Sequence, residues 1–416
     1  MDAKKIVVVG AGPAGMMAAI RAGQLGQDVT LVEKNPILGK KLLLSGKGRC
    51  NLTNACDLDS FLERFSKNGQ FLRDAFKKFF NLELMHFFEE RGLKLKTERQ
   101  LRVFPETNSS GSIVGVLKKE LHKNKVKVIY RAVMKDIIMQ EGRIKGLLLA
   151  DGRVIPADRL ILATGGLSFS FTGSTGEGLN IAQKLGHAIV AFRPGLVPLE
   201  TRQKYPALLE GLALKNIRLR FSDGKKELQA PVGELLFTHS GISGPLVLSY
   251  SGRIADWLRE NNSVYVEIDL KPALSKEQLR ARILREFKLN SKRALKNTLK
   301  NLLPKRLADI FIEIAKIAPE KQASQVTQQE REALVSLLKA WRLDIIRTRP
   351  IEEAMVTRGG VSLKDITPRT MESRLIKGLY FCGEMIDVDA DTGGFNLQAA
   401  FSTGYLAGES AASSIS

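Results

Sequence analysis

Ile6-Val7-Val8-Val9-Gly10-Ala11-Gly12-Pro13-Ala14-Gly15 is the stretch that decides the fold. Four apolar residues in a row predict a strand buried on both faces, as in a parallel sheet. Gly10, Gly12 and Gly15 then predict a tight turn into a helix running to Leu25, and Val29 to Val32 predict a second strand. Strand, turn, helix and strand form a βαβ unit of the dinucleotide-binding kind. Its glycines let backbone N–H groups approach a pyrophosphate, which also meets the positive end of the helix. Glu33 ends the second strand eighteen residues after Gly15. It is placed to accept hydrogen bonds from both hydroxyls of an adenosine ribose, and an acid there disfavours the 2′-phosphate of NADP. The turn by itself does not separate FAD from NAD.

The other end of the chain favours FAD. Gly383-Glu384 follows a predicted strand at Gly378 to Cys382, and Asp387 and Gly393-Gly394-Phe395-Asn396-Leu397-Gln398 lead into a closing helix over 397–412. A carboxylate at a strand end can hold ribitol hydroxyls. A glycine-started helix can face the flavin N1/O2 edge, where its dipole stabilises negative charge. Between the two ends, Leu160 to Ala163 predict another buried strand, stopped by Thr164-Gly165-Gly166. The character changes near 196. The expected architecture is α/β: a FAD-binding Rossmann-type domain made from 1–195 and 343–416, interrupted by an insertion over 196–342. That insertion reads as β-rich and barrel-like over 196–270 and helical over 271–342, with helices near 275–300, 304–317 and 327–341.

Composition narrows the class. The 416 residues are 44% hydrophobic and 26% charged, which excludes disordered and collagenous chains. Three cysteines make no disulfide framework, and no Cys/His cluster has zinc-ligand spacing. Asp387, Asp389 and Asp391 alternate but lack the glycine and terminal glutamate of a calcium loop, so no metal is expected. The short apolar opening is neither a secretion signal nor a membrane span, and a cytoplasmic protein is expected.

Lys and Arg number 64 against 44 Asp and Glu, a net charge of +20. Twelve Lys/Arg against two Glu lie in 271–306, and eleven against three Glu in 91–131. These two segments hold eighteen of the twenty excess charges. Such clustering suits a polyanion such as RNA or, equally, a solvated helical face, and less readily a membrane surface. Few aromatics interleave the charges, so any RNA grip is expected to be mostly phosphate contact.

Several motifs occur in order: Gly39-Lys40-Lys41-Leu42, Ser45-Gly46-Lys47-Gly48-Arg49-Cys50-Asn51-Leu52-Thr53-Asn54, Arg102-Val103-Phe104-Pro105 and Ala163-Thr164-Gly165-Gly166. Thr172-Gly173-Ser174-Thr175-Gly176-Glu177-Gly178, Thr238-His239-Ser240-Gly241-Ile242-Ser243-Gly244-Pro245 and Thr392 to Gln398 follow. Together they resemble the BaiN-like (YhiN) family of FAD-binding oxidoreductases, also labelled aminoacetone oxidases, over nearly the whole chain. The resemblance implies a fumarate-reductase-like FAD fold with an inserted domain. It also implies reduction of a conjugated C=C, in small enones or in uracil of large-subunit ribosomal RNA, with NADH or NADPH as transient donor. An amine oxidase using O₂ and a flavin-stabilised RNA-binding scaffold without turnover are the competing readings. Lys47 stands where the family usually has Gly, and Phe395 where Tyr is common.

The candidate cofactor-binding set is Gly10, Gly12, Pro13, Ala14, Gly15, Glu33, Lys34, Lys41, Gly48, Arg49, Cys50, Asn51, Thr164, Gly165, Gly383, Glu384, Asp387, Gly394, Phe395, Asn396 and Leu397. Arg49 can neutralise a phosphate or a substrate anion. Cys50 can give a proton to the carbon next to the one that takes hydride, or serve as a buried packing thiol. His239, in a Gly-rich turn-like segment, reads either as a substrate-binding or proton-transfer group or as a hydrogen-bonded turn residue. Cys56 and Cys382 read as packing residues, and Arg358 in Thr357-Arg358-Gly359-Gly360 as an anion ligand or a solvated arginine.

Overall fold

The computed structural model describes residues 3–260 and 263–413 and divides into two compact units, Met1–Gly195 with Ile351–Ser416, and Leu196–Pro350. In the first, a five-stranded parallel sheet runs in the order Leu379–Phe381, Arg159–Leu162, Lys5–Val9, Asp28–Val32, Lys127–Ile129. The opening strand lies at its centre, pairing Val7 with Leu160 on one side and with Thr30 on the other. Its apolar run is buried from Ile6 to Val9, as a strand covered on both faces must be.

The helix Pro13–Gln24 starts directly from the glycine turn, with Pro at its first position, where a missing N–H costs nothing. The closing helix, Phe395–Ala412, packs against it at very close range. A Cβ on Gly404 would lie 2.2 Å from the Ala14 carbonyl oxygen, and one on Gly408 2.3 Å from that of Ala18. Glycine and alanine thus let the two backbones touch, and the last helix of the chain buttresses the first. A three-stranded antiparallel meander, Met134–Gln140, Arg143–Leu149 and Val154–Pro156, completes the crossover into Arg159–Leu162.

The second unit contains a barrel. Antiparallel pairings link Ala213–Ser222, Gly233–Thr238, Gly241–Ser243, Leu199–Thr201, Trp341–Thr348 and Val264–Asp269, and this last strand returns to the first, closing six strands. The boundary expected at 342 falls inside Trp341–Thr348. That strand pairs on both sides within the barrel, so the second unit continues to Pro350. Within the stretch read as β-rich lies an unanticipated helix, Pro245–Glu260. Ser249-Tyr250-Ser251-Gly252 hides its periodicity, because a buried core position is held by Ser251, whose hydroxyl donates to the Leu248 carbonyl and accepts from Val197 N–H. The helices Lys276–Leu289, Lys305–Ile314 and Gln328–Lys339 bury Leu279, Ile283, Phe287, Leu307, Phe311, Leu334 and Leu338 in the same core as the barrel.

Candidate active site at the carboxyl ends of the parallel strands

The glycine turn is built by close approach. Gly10 has φ +100°, and a Cβ there would lie 2.5 Å from the Ala163 carbonyl oxygen. A Cβ on Gly15 would lie 1.8 Å from the carbonyl oxygen of Gly10. Gly12 is different: a Cβ there meets nothing within 4 Å. Two glycines therefore allow the strand, turn and helix to pack, and the third keeps open the space at the helix N-terminus that a pyrophosphate needs.

Glu33 is buried at the end of its strand. Its Oε2 accepts from Ala11 N–H at 2.8 Å, and its Oε1 from the backbone and side-chain amides of Asn35 at 2.8 and 2.7 Å. Asn35 Nδ2 also reaches the Thr172 carbonyl, fastening the 170–173 turn to the Glu33 carboxylate. The sequence reading missed Asn35, and no motif marks it. Lys34 turns away to Thr175 Oγ1 at 2.6 Å and to the Glu177 carboxylate.

Glu384 lies just past the strand Leu379–Phe381 and, like Glu33, accepts three hydrogen bonds. Its Oε2 accepts from Lys41 Nζ at 2.6 Å, while its Oε1 accepts from Ser168 Oγ at 2.8 Å and Thr357 N–H at 2.6 Å. Thr357 Oγ1 in turn accepts from the N–H groups of Leu167 and Ser168. Gly166 makes room for it, since a Cβ there would lie 2.3 Å from Thr357 Oγ1. Ser168 stands two residues beyond the Ala163–Gly166 motif, and that position was the only signal for it. Thr164 Oγ1 donates to Met385 Sδ, and Gly165 adopts φ +79° beside Ser174.

The Ser45–Asn51 loop is left-handed at Gly46, Lys47, Gly48 and Cys50, with φ between 57° and 83°. Lys47, the departure from the family's glycine, thus keeps glycine's conformation at about 1–2 kcal/mol of local cost. Asn51 Oδ1 is buried without a hydrogen-bond partner among the described residues, and a Cβ on Gly48 would meet nothing within 4 Å. Arg49 is spoken for: it bonds Glu98 and Asn108 and lies 4.2 Å over the Phe104 ring. Cys50 is fully buried, and burial pushes its thiol up to about 12, so it keeps its proton at neutral pH.

At the far end, a Cβ on Gly394 would lie 2.4 Å from Thr53 carbonyl atoms, and one on Gly383 2.8 Å from Ala14 Cβ. Phe395 packs edge-on against Phe61 at 4.7 Å. Asn396 caps its own loop through Ala390 and Asp391, and half-buried Leu397 packs on the core. Asp387 is raised from the ordinary carboxylate range by burial, against the hydrogen bond from Asn68. Cys382 is buried against the Leu162 carbonyl, Cys56 is half-buried, and Arg358 is buried within 3.5 Å of Asp389. His239 is exposed in the second unit, between the strands Gly233–Thr238 and Gly241–Ser243.

The turn, the acid after the second strand and the converging chain ends define a FAD-binding Rossmann oxidoreductase. Open space at Gly12, a buried carboxylate at Glu33 and the unpartnered Asn51 Oδ1 fit that cofactor. The chain belongs to the HI0933-like family: the HI0933-like protein Rossmann domain matches residues 4–410. It is 34% identical to a 3-dehydro-bile acid delta(4,6)-reductase of Clostridium scindens, over 98% of this chain and 99% of that protein. It is 32% identical to a ribosomal RNA dihydrouridine synthase of Haemophilus influenzae over 96% of both chains, and 31% to that of Escherichia coli over 97% of both. A quinol-fumarate reductase solved with menaquinol shares the fold at a TM-score of 0.52 and 17% identity, covering 99% of this chain and 71% of that one. No helix among the described residues is long and apolar enough to cross a membrane.

Proposed function

We propose that this protein is an NADH- or NADPH-driven reductase of a conjugated C=C, and that its substrate is uridine in large-subunit ribosomal RNA, reduced to dihydrouridine in the cytoplasm. Bound FAD supplies the hydride chemistry. The Gly10–Gly15 turn would hold the pyrophosphate, Glu33 the adenosine ribose and Glu384 the ribitol, with Asn51, Gly48 and the Gly394 helix start lining the flavin end. The relatives include both substrate classes, an enone of a bile acid and a ribosomal uracil, and each is a C=C conjugated to a carbonyl.

The observation that carries the choice of RNA is the cationic surface. In the second unit Arg285, Lys288, Lys292 and Arg293 are exposed and form no ion pair among the described residues. In the first, Lys118, Lys119, Lys123, Lys125, Lys127 and Arg131 are likewise exposed without an acidic partner. A small enone has no use for such a surface, whereas phosphates release counterions on meeting it. The 34% identity to the bile acid reductase favours the small-molecule reading. Dihydrouridine content of ribosomal RNA from cells with and without the gene decides: equal content removes RNA as substrate.

Reduction also needs a proton on the neighbouring carbon, and this reading assigns it to Cys50 or His239. Replacing the true donor by alanine lowers turnover on the order of 100-fold, while the other replacement leaves it within about twofold. Mixing with NADPH under anaerobic conditions tests the enzyme class. Flavin bleaching that reverses on adding unmodified ribosomal RNA supports the reductase, and reversal only in air supports an oxidase. RNA binding with no bleaching supports the scaffold.

A further inference from the structure

We propose that Lys41 is a positioning residue that acts on FAD through Glu384 rather than by touching the cofactor. The inference rests on the reading of Glu384 as the ribitol acceptor. Each carboxylate oxygen offers about two acceptor positions. On Glu384 Oε1 both are taken, by Ser168 Oγ at 2.8 Å and Thr357 N–H at 2.6 Å. On Oε2 one is taken, by Lys41 Nζ at 2.6 Å. The one position left for a ribitol hydroxyl is therefore on the oxygen that Lys41 holds.

Two of the three donors of the Lys41 ammonium are engaged inside this frame. Its second hydrogen bond goes to Ser168 Oγ at 2.7 Å, the same hydroxyl that donates to Glu384. Ser168 is fully buried and Thr357 is 1% exposed, so the far side of the carboxylate is a closed, rigid frame. Lys41 and Glu384 are only partly exposed, at 24% and 20% of their side chains. The pair thus keeps some accessible surface beside buried Ser168 and Thr357. Removing the ammonium leaves Oε2 unrestrained and an unpaired anion beside the ribitol, and the loss is felt as weaker cofactor binding.

A double-mutant cycle on the full chain tests this, with FAD dissociation constants measured by calorimetry on flavin-free protein and a thermal melt of each variant as the folding control. Lys41→Met and Glu384→Gln are each expected to weaken FAD by about 10- to 100-fold. The double variant is expected to bind within about threefold of Glu384→Gln alone, since Lys41 acts only through that carboxylate. Lys41→Arg, which keeps the charge and the donor, restores most of the affinity and the visible circular dichroism of the bound flavin. Multiplying losses in the double variant, or unchanged affinity in Lys41→Met, overturns the inference while the FAD assignment stands. A wild-type protein that takes up no FAD overturns the assignment itself, and this inference with it.

Discussion

Glu33 and Glu384 follow strands of one parallel sheet, yet they are held in opposite ways. Glu33 draws its donors from Ala11 and Asn35, residues of its own βαβ unit, 22 and 2 positions away. Glu384 draws its donors from Lys41, Ser168 and Thr357, which lie 343, 216 and 27 positions away. On the proposed reading, the carboxylate of the adenosine end therefore takes its own donors from the first βαβ unit, and Asn35 links it onward, to Thr172. The ribitol end is finished only when three further segments have met, and it inherits the stability of that assembly.

The largest effects fall on the locally built end. Gly15→Ala places a Cβ 1.8 Å from a backbone carbonyl that cannot move aside. It should cost about 3 kcal/mol or more of stability and abolish binding of both FAD and ADP, read by urea unfolding and calorimetry. Gly12→Ala is its control, because the added methyl meets no protein atom. Its stability should stay within about 0.5 kcal/mol while FAD binding falls by tenfold or more. Equal destabilisation by the two substitutions would show that Gly12, too, serves packing alone.

An intermediate effect separates the two carboxylates. Glu33→Gln should weaken ADP and FAD alike, by about 10- to 100-fold, because it removes a charge-assisted acceptor from the half that both ligands share. Glu384→Gln should weaken FAD and leave ADP binding within about twofold. Weakened ADP binding in Glu384→Gln would mean that the network around it supports the whole site, and the contrast between the ends would disappear.

The same contrast explains what could be read from the residues. Gly10, Gly12, Gly15 and Glu33 are legible because they sit at fixed positions of one strand–turn–helix–strand unit, although the closest approach at Gly10 is to the distant Ala163 carbonyl. The roles of Lys34, Lys41, Arg49 and Asn396 are not, because each is settled by partners brought in by the fold: Glu177, Glu384, Glu98 and the Ala390–Asp391 backbone. Ser168 lies just beyond Ala163–Gly166 and Thr357 opens Thr357–Gly360, but neither motif marks its hydroxyl as the frame of a carboxylate. In the second unit the barrel strands showed in their β-like pieces. The helix Pro245–Glu260 did not, since a buried serine breaks the apolar stripe that would announce it.

The smallest effect sharpens the comparison by pH. His187 is buried, with Nε2 2.7 Å from Ser373 Oγ, Nδ1 3.0 Å from the Ala182 carbonyl, and its ring edge-on to Phe381 at 4.8 Å. Burial lowers its pKa below the ordinary 6.5, against weaker opposition from the Ala182 carbonyl and Asp365. The unfolded chain then takes up a proton that the folded one refuses. This histidine has no effect on stability above about pH 6.5 and subtracts stability as pH falls below it. Phe381 belongs to the strand that leads to Glu384, so acid should loosen that side of the sheet first. Hydrogen exchange at pH 5.5 against pH 7.5 should quicken around 379–384 more than around 5–33. A His187→Gln variant should shrink that difference, and uniform quickening along all five strands would mean that the sheet opens as one unit, with no weaker ribitol end.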